Sequence, residues 1–162
     1  KRDSMQRILD SAKLASVDPH GCPERRPVRA AGTATATGGA FAPANPSSIA
    51  ICYYGELDDR LKSSATLRGD SAVALARLLN AAPSGANPDA DPSQCLHPPA
   101  PPPPDAILLV HAGAAPTTIH VTFSGCVGRK LDNGVQLARV DSAIVRAIMQ
   151  PLGGGYAHHG DL

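Results

Sequence analysis

The sequence predicts an α+β domain: a mainly antiparallel sheet of about four to five strands, helices packed on one face, and two disulfides. Apolar residues recur at helical spacing in some stretches and alternate in others. The alternating stretches follow one another through short turns, the hallmark of hairpin pairing. The four cysteines, Cys22, Cys52, Cys95 and Cys126, are widely spaced and form no Cys-x-x-Cys.

Composition narrows the class. The chain has 162 residues, enough for one domain. Its hydrophobic fraction of 43% is rich in Ala and includes no Trp, two Phe and three Tyr. With 15 Gly and 16 Pro, the chain reads as thin-cored and loop-rich. A coiled coil, a collagen and a large multidomain enzyme are excluded. The net charge is +1, and no block of like charge marks a nucleic-acid footprint or a polybasic membrane patch. No apolar run approaches the roughly 18 residues that a membrane span needs. The chain begins with Lys1 and shows no signal-type apolar region; a removed signal peptide or a shortened chain would explain both.

The first element expected is a helix over residues 3–15, with Met5, Ile8, Leu9 and Ala12 on one stripe and Asp3 or Ser4 as cap. Pro19 and Gly21 end it. Residues 23–46 are rich in Pro, Gly, Ala and Thr, and Thr33–Thr37 is at best an edge strand. Ser48–Tyr54 reads as a central strand with Ile49, Ile51 and Tyr53 on one face, followed by a turn over 55–59. Asp70–Asn80 is the strongest helix, with Val73, Leu75, Leu78 and Leu79 apolar and Asp70 or Ser71 as cap.

A long loop, 83–105, follows. It holds Cys95 and the run Pro98–Pro104, which reads as extended polyproline II. Ile107–His111 and Thr117–Phe123 read as a hairpin in which residue 109 faces residue 119. Ile107, Leu109, Ile119, Val121 and Phe123 then share one face, and Thr118, His120 and Thr122 the other. Asp132-Asn133-Gly134 signals a second hairpin turn between strands 127–131 and 135–138. A last helix spans 142–150, capped by Asp141 and stopped by Pro151 and three glycines. The expected organisation is a lead-in over 1–21, one domain over 22–152 and a frayed tail over 153–162.

The cysteines are read as two structural disulfides, Cys22–Cys52 and Cys95–Cys126, each closing a loop of about 30 residues. That pairing implies an oxidising compartment, so the expected location is extracellular or at the cell surface. Four free thiols in a cytosolic protein is the alternative.

The chemistry-bearing motifs are missing. There is no Gly-x-Ser-x-Gly elbow, phosphate loop, His-Glu-x-x-His helix or dinucleotide fingerprint. No metal or cofactor is expected. His158 and His159 lie in the tail, His111 and His120 are expected on opposite sheet faces, and His20 and His97 adjoin cysteines assigned to disulfides. Ser124, His120 and Asp132 could converge as a triad near the sheet end, and Glu56, Asp58 and Asp59 could form an acid/base group. Hairpin decoration and a solvated turn explain them better. Arg68-Gly69-Asp70, a tripeptide that integrins read, falls where a turn and a helix start belong.

Several features together resemble a known group. They are Cys22-Pro23, Phe41-x-Pro43, Cys52-x-Tyr54, Leu78-Leu79-Asn80, Cys95, Ser124-Gly125-Cys126 and Asn133-Gly134. Over about residues 22–150 the chain resembles small exported actinobacterial proteins of undefined activity, often lipoproteins. It is also similar in style to secreted subtilisin-inhibitor-type proteins, which are small α+β domains with two disulfides, although no matching reactive-site motif occurs. The resemblance implies export and carries no catalytic residues.

The expected function is therefore a non-enzymatic, exported binding or adaptor domain acting through protein–protein contacts, with an unidentified protein partner. Candidate contact residues are His97 and Pro101 in the long loop and Thr118, His120 and Thr122 on the polar strand face. The alternatives are a secreted protease inhibitor presenting the 83–105 loop and a small secreted enzyme without a recognisable motif.

Overall fold

The computed structural model describes residues 16–28, 39–54, 59–91, 93, 104–123 and 125–153. Six strands form one antiparallel sheet in the order β2-β1-β3-β4-β5-β6. They are β1 (Ser48–Tyr53), β2 (Ser63–Arg68), β3 (Ala106–His111), β4 (Thr117–Thr122), β5 (Lys130–Asp132) and β6 (Leu137–Ala138). Helix α1 (Gly69–Ala81) follows β2, and α2 (Ser142–Met149) runs into a short 3-10 turn, Gln150–Leu152. The α+β class stands, but the sheet has one strand more than the upper expectation. The addition is β2, Ser-Ser-Ala-Thr-Leu-Arg, whose weak alternation gives little signal. The expected helix over 3–15, the edge strand over 33–37 and the tail beyond Gly153 lie outside the described residues.

The helix-side face of the sheet carries Ile49, Ile51, Leu108, Val110, Ile119, Val121 and Leu131. These pack with Leu75 and Leu79 of α1 and Ile144 and Ile148 of α2, all essentially sealed from solvent. Burying each such side chain contributes about 1.5–3 kcal/mol before chain entropy is counted. Tyr53 and Phe123 stack on this face, with centroids 6.2 Å apart. The opposite face has its own small cluster of Cys22, Ala50, Cys52, Tyr54 and Ile107. The central strands are therefore covered on both sides, and the interior of β1 is buried throughout.

Two-sided burial corrects the hairpin register. Leu108, not Leu109, faces Ile119, while Leu109 faces Thr118 and Ile107 faces His120. Ile107 and Leu109 thus lie on the face opposite the helices, with Thr118 and His120. The same shift puts His111 and His120 on one face rather than two. His111 lies four residues along β3 from Ile107, the partner of His120, or about 13 Å.

The helix ends follow from capping chemistry. Asp141 caps α2, its Oδ1 accepting from Ile144 N–H at 2.9 Å. Helix α1 starts one residue before the expected caps, at Gly69, with Arg68 in the cap position and no side-chain cap. Asp70 instead stands in the first turn, where its charge suits the helix dipole. The Asn133-Gly134 turn forms as expected: Asn133 Oδ1 accepts from the N–H groups of Val135 and Gln136, and Gly134 has φ +89°.

The Cys22–Cys52 disulfide is present. It pins residues 16–28 across the face away from the helices. There Val17 bridges Pro23, the Ser64 hydroxyl donates to Asp18, and His20 Nδ1 pairs with Thr66 Oγ1 at 2.8 Å. Asp18 and His20 are thereby bonded to β2. Cys126 is also disulfide-bonded; Cys95 lies outside the described residues.

Candidate functional site

Residues 83–91 do not wander. They lie along the far edge of the sheet and are fastened at almost every second residue. Arg139 N–H donates to Pro83 O at 2.8 Å, Ser84 bridges Ala138, and Gly85 N–H donates to Leu137 O at 2.9 Å. Asn87 N–H donates to Arg129 O at 2.9 Å, while its side chain both donates to Val140 O and accepts from Val140 N–H, each at 2.8 Å. Asp89 Oδ1 then accepts from Gly128 N–H at 3.0 Å, and Ala90 N–H donates to Cys126 O at 2.7 Å. Local turn chemistry continues at Asp91, whose Oδ1 accepts from the N–H and hydroxyl of Ser93. Those two bonds hold the Asp91 carboxyl below its ordinary pKa.

The returning end is held as firmly. Asp105 is buried. Its Oδ2 accepts from Phe123 N–H at 2.8 Å, its own N–H donates to Val121 O at 2.8 Å, and its carbonyl accepts from Tyr54 N–H at 2.9 Å. A buried carboxylate that accepts a backbone N–H forms a strong, charge-assisted bond. The outgoing end at Ala90 and the returning end at Asp105 are thus tied to one short stretch of chain, 121–126. These two ends therefore share one base.

The candidate contact residues divide. His97 and Pro101, like Cys95, lie outside the described residues. Thr118 and His120 are half-buried on the face away from the helices, and Thr122 is buried at 3% exposure. Asp132 stands directly across the β4–β5 pairing from His120 and is itself buried. Ser124, the third member of the candidate triad, lies outside the described residues. Among the described residues no group of three His, Cys, Asp or Glu side chains is placed to hold a metal ion. No helix of the described residues is long and apolar enough to cross a membrane.

Other polar contacts fasten the frame. Tyr54 donates its hydroxyl to Pro23 O at 2.9 Å, and burial pushes its phenol pKa up to about 12, with Asp18 adding to the shift. The guanidinium of buried Arg26 stands 5.8 Å from the Tyr54 ring centroid and 3.8 Å from Asp59. The two loop anchors, Asn87 and Asp105, were not among the expected site residues. Asp105 follows the proline run and precedes the strand, and that position was the available signal.

No protein-family model, curated protein or solved structure matches the chain.

Proposed function

We propose that the protein is an exported, non-enzymatic binding domain that acts through protein–protein contacts made by the segment between Ser93 and Asp105. The observation that carries this is the double anchorage, with Ala90 and Asp105 both bonded to the 121–126 stretch. Holding both ends of a segment in place lowers the entropy lost when it meets a partner. Proline in that segment lowers the loss further. The disulfide of Cys126 belongs to the same base, and with Cys22–Cys52 it supports an extracellular or cell-surface location.

The same anchorage favours one specialised form of the reading, a secreted protease inhibitor. A segment fixed at both ends resists the separation of ends that follows cleavage, so a protease bound to it turns over slowly.

The test compares the protein with a variant in which residues 96–102 are replaced by a Gly/Ser stretch, both used to capture proteins from the culture supernatant of the producing organism. A protein held by the native chain and lost with the variant is the expected result. Identical captured sets would sink the reading. Incubation with secreted serine proteases separates the special case: slow, incomplete cleavage with inhibition supports it, and rapid cleavage between residues 93 and 105 without inhibition removes it.

A further inference from the structure

The turn joining β5 to β6 carries Asn133-Gly134, and exposed Gly134 has φ +89° with open space around it. Asn-Gly is the dipeptide in which a backbone nitrogen most easily reaches the preceding side-chain carbonyl, because glycine puts no Cβ in the way. Attack of the Gly134 nitrogen on Asn133 Cγ closes a five-membered succinimide and releases ammonia. Each group in that reaction has a partner in the fold. Gly134 N–H donates to Asp132 Oδ1 at 2.8 Å, and Asp132 is buried. Asn133 Oδ1 accepts from Val135 N–H at 2.9 Å and from Gln136 N–H at 2.7 Å. Asn133 Nδ2 donates to Phe41 O at 2.8 Å.

These bonds differ in reach. Those of Asp132, Val135 and Gln136 span only two or three residues and belong to the turn itself. The bond to Phe41 crosses a sequence separation of 92. The local bonds supply what ring closure needs. A carboxylate is placed to take the proton of the attacking N–H, and two N–H donors sit on the oxygen that becomes an oxyanion. The long-range bond opposes closure. It restrains the amide whose carbon must become tetrahedral and whose nitrogen must leave.

We propose that Asn133-Gly134 is a self-modification site latched by Phe41: when residues 39–42 lift from the turn it cyclises, and the product cannot clip them again. In the step, the Gly134 N–H proton passes to Asp132 as the N–Cγ bond forms. The Cγ–Nδ2 bond then breaks, the proton moves to the departing nitrogen, and ammonia leaves. Water opens the ring at either imide C–N bond, giving aspartate or isoaspartate at position 133. The sequence consumes only water, and the exposure of Gly134 and Val135 admits it. Either product carries a carboxylate in place of the amide. An ionised carboxylate has no proton to donate, so the bond to Phe41 O is lost permanently. Phe41 and Ala42, buried in the helix-side core, then keep the Asn80 amide, bonded at Ala42 N–H and O, but not the turn. The site thus converts a transient opening of that segment into a covalent change.

Peptide mass spectrometry, with isoaspartyl methyltransferase labelling, reads the conversion during incubation of the intact protein at neutral pH. The native chain should convert more slowly than the chain unfolded in urea. Asn80→Ala, which frees Ala42, should open the segment more often and speed conversion roughly tenfold over native. Adding Asp132→Asn to that variant should slow conversion again, by roughly tenfold or more. Asn133→Asp copies one product and should speed amide hydrogen exchange at residues 39–42. Circular dichroism with thermal melting confirms that each variant is folded. A folded Asn80→Ala chain that converts no faster than native overturns the proposal, as does native conversion at the rate of the unfolded chain. Unchanged exchange at residues 39–42 in Asn133→Asp overturns it equally.

Discussion

Asn80 grips the backbone of Ala42 with both ends of its amide. Its Oδ1 accepts from Ala42 N–H and its Nδ2 donates to Ala42 O, each at 2.9 Å. The last turn of α1 is thereby stitched to a segment 38 residues earlier, just below buried Phe41. Asn→Ala at position 80 removes both bonds and strands a part-buried backbone pair, so a loss of about 1–3 kcal/mol is expected in denaturant unfolding. Asn80→Asp keeps the acceptor and loses the donor, and it should fall between the two. Equal stability of all three proteins would remove the stitch from the account.

The Cys22–Cys52 bridge spans a sequence separation of 30. The chain-entropy model gives such a closure about 3–4 kcal/mol. The double substitution Cys22→Ala/Cys52→Ala should lower the unfolding free energy by that order and reduce the thermal midpoint accordingly. A thiol assay on unfolded, unreduced native protein should find no free cysteine, since both Cys22 and Cys126 are bonded.

Acid should loosen the face away from the helices first. Burial alone would raise the Asp18 pKa, but hydrogen bonds from the Ser64 hydroxyl and from the N–H groups of Cys22 and His20 prevail and hold it below 3.8. A carboxylate depressed on folding stabilises the fold above its ordinary pKa, and that support is lost as pH falls through the lowered value. Stability should therefore decline below about pH 3.8, and Asp18→Asn should flatten that decline. The check is a series of urea unfolding midpoints across the acid range.

Alkali should act through Tyr54. Its phenol is pushed up to about 12 in the fold, against 10.0 for the free group, because burial disfavours the phenolate. A raised value means that the stabilisation is whole below pH 10.0 and disappears as pH climbs through about 12. Tyr54→Phe should cost about 1 kcal/mol at neutral pH through the lost bond to Pro23 O, and it should remove part of the alkaline loss. Phenolate absorbance during a pH titration reports the ionisation directly.

These groups show what the sequence could and could not reveal. Local chemistry was legible. Asp141 before an apolar stripe caps α2, Asn133-Gly134 turns the chain, and β1 lies where its isoleucines alternate. The β3–β4 register was not legible, because Ile107, Leu108, Leu109 and Val110 are uniformly apolar and carry no period-two signal. Only the disulfide cluster on one side and the helices on the other decide which of them faces where. β2 escaped because a strand of small polar residues looks like the lead-in to a helix. The clamps of Asn87 and Asp105 were equally hidden: their partners, Val140 and Phe123, are distant in sequence.

The double anchorage also bears on how the protein can change. Because Ala90 and Asp105 are each tied to the 121–126 stretch, the cost of bringing the segment's ends together is largely met by the frame. Each doubling of a flexible loop's length adds only about 0.6 kcal/mol to closure. Insertions, deletions and replacement between residues 96 and 103, beyond Cys95, are thus insulated from the core. That stretch is a natural place for lineage-to-lineage divergence, and for grafting foreign peptides onto an otherwise unaltered scaffold.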